Sequence, residues 1–156
     1  SLVETLRRKI PGIAITTDII VGFPGESDEA FKQSFDFIQS LGFSGGHVFK
    51  FSPMPGTPAF SMKDQTPEGI KQLRSQSLRE YFEHAVRNHS LSKISSTEDV
   101  LWESADLSKG SPVFSGLTRD YVRVFCQTDL PWHNTIQKVR VIGFNDESHL
   151  IAVPES

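Results

Sequence analysis

Several residue types in this chain could do chemistry, and for most of them the spacing argues against it. The stretch "GFSGG", residues 42–46, has the G-x-S-x-G spacing of a nucleophilic serine elbow. That device needs a strand before the serine and a helix after it. Here a helical pattern comes first and a strand pattern follows, so the match reads as a glycine-rich turn. The five histidines, His47, His84, His89, His133 and His149, are scattered. His84 and His89 are five apart, which takes them off a common helix face. No Cys/His spacing resembles a zinc site. Glu80 and Glu83 share a helix face with no partner motif and read as solvated. Cys126 is the only cysteine, which excludes an intrachain disulfide and an all-cysteine metal site.

Two stretches carry more. The first is "TDIIVGFPGES", residues 17–27. A β-branched run stops at Gly22, Phe23, Pro24 and Gly25, and Glu26 stands at the exit. A loop between a strand and a helix favours anions through its backbone N–H groups and the helix dipole. Neither Gly-Lys-Ser/Thr nor G-x-G-x-x-G is present, which argues against a nucleotide P-loop. What remains is bare main chain at the C-terminal end of a strand, where ligands of α/β folds bind. Gly22 and Gly25 are expected to let a flat ligand approach the backbone, against the plainer reading of a tight turn. The second stretch is residues 115–123, "SGLTRDYVR". It combines a glycine turn, hydroxyls, two arginines and an aromatic, a surface suited to phosphate contact and base stacking.

The elements that must position these residues follow from periodicity. Residues 1–9 read as an amphipathic helix with cations at its end, where they oppose the helix dipole. Residues 13–23 read as a buried strand. Ser27 is an N-cap, with Asp28 and Glu29 in the first turn. Phe31, Phe35, Ile38 and Leu41 then recur at helical spacing, and Gly42 supplies the stop. Residues 46–51 form a second short strand. The prolines of residues 53–58 impose a loop. Pro67 starts a long helix by the proline-at-N1 rule, with Ile70, Leu73, Tyr81, Phe82 and Ala85 as its apolar face. The order α, β, α, β, α is the grammar of parallel βα units, and two strands are too few for a barrel. The polar residues 90–98 make a boundary, placed at 92/93. Beyond it, five short strands near residues 100–102, 113–114, 121–125, 136–142 and 150–153 predict a small OB-like β-barrel.

Composition sets the outer limits. The chain has 156 residues and a formal net charge of -3. Residues 1–97 hold eleven basic and ten acidic residues, whereas residues 98–156 hold five basic and nine acidic. That balance is a weak footprint for a nucleic-acid binder. No apolar run approaches the length of a membrane span and no signal-peptide pattern opens the chain; no membrane association and a cytoplasmic location are expected. The opening inside a helix pattern suggests a piece of a longer protein.

In this order, "TDIIVGFPGES", "GGHVFKFSPMPGTPAFSM", "PEGIKQLRSQSL" and "FSGLTRDYVRV" resemble the radical-SAM methylthiotransferases over nearly the whole chain. The likeness is to the branch that modifies adenosine 37 of tRNA, and the last motif is similar to the TRAM domain of those enzymes. The resemblance implies an α/β part followed by an all-β part: residues 1–92 as the C-terminal portion of a partial (β/α)6 barrel, and residues 93–156 as a TRAM-like barrel. It implies S-adenosyl-L-methionine (SAM) across the strand ends, with Gly22, Phe23, Pro24, Gly25, Phe49, Phe51 and Ser52 as its neighbours. A 5′-deoxyadenosyl radical then activates C2 of the adenine for sulfur insertion and methylation. Thr118, Arg119, Tyr121 and Arg123 are the implied contacts to the tRNA anticodon stem-loop.

The implied [4Fe–4S] clusters need several thiolates. With Cys126 alone, this chain has no metal residue and no catalytic residue of its own; the clusters fall to a missing N-terminal half, and the chain by itself is expected to be inactive. The resemblance specifies neither electron donor nor sulfur source. Met54 stands where the family usually has a basic residue, and Lys50 where proline is more usual. Asp18 leans toward the tRNA branch, and "HVFKFSPMPGTPA" toward threonylcarbamoyladenosine rather than isopentenyladenosine as the substrate. The other readings are a ribosomal-protein methylthiotransferase and a non-catalytic RNA-binding or scaffold module.

Overall fold

The computed structural model describes residues 2–108, 111–145 and 149–155. Ser1, the first residue of the predicted opening helix, lies outside them. The chain divides into two units, Ser1–Val86 and Arg87–Ser156.

In the first unit, α1 (Leu2–Lys9) ends on Arg7, Arg8 and Lys9, as the dipole argument expects. Strand β1 (Thr16–Val21) is shorter than the predicted 13–23. Gly22 leaves the extended region at φ +76°, which ends the strand, and Ile13 and Ala14 precede it as irregular chain. Helix α2 (Asp28–Leu41) starts and stops where its caps dictate. The Ser27 hydroxyl accepts from the Ala30 N–H, and Gly42 closes the helix in the left-handed region. Strand β2 (Gly45–Lys50) then pairs in parallel with β1, with Asp18 opposite His47 and Ile20 opposite Phe49.

Helix α3 (Glu68–Leu91) begins one residue later than predicted. The Pro67 carbonyl accepts from the Ile70 and Lys71 N–H groups, so Pro67 caps the helix rather than opening it. The apolar face also differs. Leu73 is exposed, while Arg74, Ser75, Leu78 and Phe82 are buried. The reason lies in β2. A Cβ on Gly46 would fall 2.6 Å from the Phe82 ring, so the paired glycines are strand residues that admit the helix, not turn residues. Val21, Ile38, Val48, Leu78 and Phe82 form the core of this unit. Gly46→Ala is expected to cost about 2 kcal/mol by overpacking that contact. Thermal unfolding of the chain checks it, and a loss below about 0.5 kcal/mol would mean the ring relaxes freely.

The other face of the two strands is bare. Ile20 is 60 % exposed and Phe49 52 %. Among the described residues β1 and β2 have only each other as strand partners. An α/β sheet normally buries both faces, and this one leaves one face exposed.

The second unit is a closed barrel of five strands: β3 (Thr97–Asp106), β4 (Val113–Thr118), β5 (Arg123–Gln127), β6 (Thr135–Phe144) and β7 (Leu150–Pro154). The strand order is β3-β4-β5-β7-β6, with β6 returning to β3. Only β5 and β7 run parallel. This is the OB-like arrangement predicted from the strand count. Its core stacks Trp102 on Trp132 with ring centroids 5.3 Å apart, and Phe114 closes the cluster. Cys126 is buried in the same core. Tyr121, predicted as a strand residue, lies instead in the β4–β5 turn with φ +64°. The last residues of α3, from Arg87 on, group with this unit although the sequence boundary was drawn at 92/93.

Candidate functional site

The loop after β1 is built as a rigid bracket. The Glu26 N–H donates to the Phe23 carbonyl at 2.9 Å, which closes a turn over Pro24 and Gly25. Gly25 has φ +83° there, a value that favours glycine. From behind, the Gly25 N–H donates to the Asp64 carbonyl and the Thr66 hydroxyl donates to the Phe23 carbonyl.

Glu26 has a role that its position in the motif did not reveal. Its carboxylate accepts from the Gly22 N–H at 2.6 Å and from Arg74 Nη1 at 2.7 Å. The same Nη1 reaches the Glu26 carbonyl, and Nη2 reaches Asp28 Oδ1. The Arg74 guanidinium also lies 5.3 Å from the centroid of the Phe31 ring. Arg74 is only 5 % exposed. A buried planar fork that binds two carboxylates and a carbonyl fixes position rather than serving as a free cation. Neither the bond from Gly22 nor the arginine 48 residues away was read from the sequence.

Gly22 is also constrained from within the unit. A Cβ there would fall 2.2 Å from Lys71 Cγ. The Lys71 ammonium is held by the Phe51 carbonyl and by Glu68. Gly22 thus meets an internal demand, from its φ and from Lys71. Lys50, at the end of β2, joins the same set by binding Glu68 and Gln72. Hydrogen bonds from Lys50 and Lys71 hold the Glu68 carboxyl down at about 2.

The residues implied for SAM thus divide. Phe23, Gly25, Phe49 and Ser52 present exposed surface, whereas Gly22 and Pro24 are buried within the bracket. Phe23 meets Phe51 edge-on with centroids 5.1 Å apart. Ile20 and Phe49, opposite each other on the paired strands, add exposed apolar surface to that end of the sheet. Such a surface can take the flat face of a base. On the other flank of the loop, an open cleft of about 470 Å³ is lined by Ser27, Asp28, Asp64, Thr66, Ile70 and Arg74.

The residues implied for RNA divide as well. Arg119 and Tyr121 are exposed. Thr118 is buried, and its hydroxyl donates to Asp120 Oδ1 while accepting from the Val122 N–H. Arg123 is half-buried and donates to Glu103 at 2.7 Å and to Ser115. Asp120, passed over in the sequence, is the hub of the turn: its carboxylate also accepts from Lys93 and His89. Burial alone pushes that carboxyl up, but the Thr118, Lys93 and His89 hydrogen bonds and the Lys93 charge outweigh it and bring it to about 2. Burial pushes the Cys126 thiol up to about 11, which keeps it protonated and apolar. One buried thiol does not fit an iron–sulfur cluster, and no metal-binding cluster of His, Cys, Asp or Glu occurs among the described residues.

Fold and loop together define a two-stranded parallel α/β unit with an exposed apolar surface at its strand ends, followed in the chain by an OB-like barrel. No family model matches the chain. Curated relatives do. A tRNA-2-methylthio-N(6)-dimethylallyladenosine synthase of Finegoldia magna is 33 % identical over 144 residues, covering 92 % of this chain and 31 % of the relative. The synthase of the same name from Acetivibrio thermocellus is 34 % identical over 141 residues, 90 % of this chain and 29 % of the relative. A threonylcarbamoyladenosine tRNA methylthiotransferase of Bacillus subtilis is 32 % identical over 138 residues, 88 % of this chain and 31 % of the relative. Over about nine-tenths of its length the chain is therefore similar to one part of these tRNA methylthiotransferases. It spans about a third of the length of the curated relatives it matches.

Proposed function

We propose that the complete protein is a radical-SAM enzyme that adds a 2-methylthio group to an N6-modified adenosine at position 37 of tRNA. The observation that carries this reading is the bare sheet end, Ile20 and Phe49 with Phe23 and the bracketed loop, in a chain that aligns over nine-tenths of its length with tRNA methylthiotransferases. In this reading the open face is the inner wall of a barrel whose other strands lie outside this chain.

SAM and [4Fe–4S] clusters, when bound, supply the radical chemistry and the methyl group. This chain's share is to bind and to exclude water. Phe23, Phe49 and Ile20 offer apolar surface to the adenine of SAM, and Phe51 backs Phe23. Gly25 and Ser52 border that surface. Gly22 and Pro24 act through the shape of the bracket, which Glu26 and Arg74 hold. Cluster ligands come from the remainder of the protein, so residues 1–156 alone are inactive. The second unit serves as the TRAM domain and meets the anticodon stem-loop through Arg119 and Tyr121, with Thr118 and Arg123 shaping the turn and its flank. The location that goes with this reading is the cytoplasm.

The relatives named for dimethylallyladenosine and for threonylcarbamoyladenosine are 33 % and 32 % identical, so identity favours neither nucleoside. Mass spectrometry of tRNA nucleosides from a deletion strain separates them. Loss of one 2-methylthio nucleoside, restored by the intact gene, supports the reading and names the substrate. An unchanged nucleoside profile overturns it.

A further inference from the structure

The β4–β5 turn holds an unusual residue in an unusual place. The Tyr121 N–H donates to the Thr118 carbonyl at 3.0 Å, and the Thr118 N–H donates to the Val122 carbonyl at 3.0 Å. That is a three-residue hairpin loop of Arg119, Asp120 and Tyr121. Its last position must adopt the left-handed conformation, and glycine is the residue that does so freely. Here the position is a tyrosine at φ +64°. A bulky residue there is strained, and such strain persists where the surroundings over-determine it, most often at functional sites.

The ring does nothing for the barrel, being 83 % exposed. What holds the turn is the residue before it. Asp120 faces inward and is bonded by Thr118 of β4, by Lys93 at 2.9 Å and by His89. Lys93 is in turn paired with Glu98. Arg119 and Tyr121, both exposed, therefore flank a half-buried, triply bonded anchor.

We infer that Tyr121 is a pre-organised platform on which an unpaired RNA base stacks, and that Asp120 is the positioning residue that holds it there. This deepens the tRNA reading above and rests on it. An RNA loop fits better than a protein surface for two reasons. The feature is one ring beside an arginine, whereas a protein hot spot sits within a desolvated patch. The second unit is also acidic, so phosphate attraction alone is a poor source of affinity, and stacking is the term that does not depend on net charge.

The test uses the full-length protein and a fluorescently labelled tRNA anticodon stem-loop, with binding followed by anisotropy and folding by thermal unfolding. Tyr121→Gly relieves the strain, so it should melt at the same or a higher temperature while binding roughly tenfold more weakly. The salt dependence of its binding should stay as in the parent, because no phosphate contact is lost. Tyr121→Phe should bind like the parent. Asp120→Asn should weaken binding although the ring is intact, and leave the Tyr121→Gly variant with little more to lose. Binding of Tyr121→Gly within twofold of the parent overturns the inference and leaves the tRNA reading standing. So does a clear drop in its melting temperature, which would make the ring structural. A parent protein that does not bind the stem-loop overturns both.

Discussion

Replacing Arg74 by methionine is expected to destabilise the first unit by about 3 kcal/mol, because a buried carboxylate loses its cation. Arg74 Nη1 sits 2.7 Å from Glu26 Oε2 and 3.0 Å from the Glu26 carbonyl, and both side chains are largely withdrawn from water. Methionine conserves much of the stem and its packing, so the loss measures the guanidinium. The Asp28 arm contributes little of it, since that carboxylate is exposed and surface pairs are weak. Glu26 keeps the Gly22 N–H as a partner, which places the figure at the low end of the range for a broken buried pair. A double-mutant cycle with Glu26→Gln isolates the pair, and a coupling of about 2 kcal/mol is expected. A coupling near zero would show that the bracket is held by its turn alone. Under the proposed function, the same variant in the full-length protein should raise the Kd for SAM by about tenfold, since a loosened loop must be ordered on binding.

The second large effect is in the barrel. Gly116→Ala should lower stability by about 3 kcal/mol through overpacking, or roughly 15 °C in melting temperature for a unit of this size. A Cβ on Gly116 would fall 2.5 Å from the Leu101 carbonyl oxygen, 2.7 Å from Val100 Cγ1 and 2.9 Å from the Trp102 ring. The nearest atom is backbone of the paired strand and cannot rotate away. Trp102 cannot yield either, since it is fully buried against Trp132. The β3 ladder already shifts register between Trp102 and Ser104, next to this contact. Calorimetry of the chain reads the effect. An alanine variant that melts within a few degrees of the parent would show that the bulge absorbs the methyl group.

Local patterns in the sequence reached the order of the elements and the helix caps. Ser27 and Gly42 act at the two ends of α2 as their types predict, because capping depends on residues a few positions apart. The alternation of short β-branched runs with turn residues announced five strands, and the fold closes them in OB-like order. The motif pattern led to the family for the same reason: short, ordered stretches of type and spacing survive as text.

Everything that depended on a distant partner had to wait for the tertiary structure. Gly22, Gly46 and Gly116 look alike in sequence, yet the first answers to Lys71, the second to Phe82 and the third to the Leu101 carbonyl. Helical periodicity put Leu73 on the buried face of α3, whereas packing chose Arg74, because a charge can be buried once two carboxylates and a carbonyl meet it. Tyr121 reads as a strand residue by propensity, and the bonds of Asp120 to Thr118, Lys93 and His89 turn it outward. Sequence determines what each residue prefers among near neighbours; which preference yields is decided by atoms that the fold brings from far along the chain.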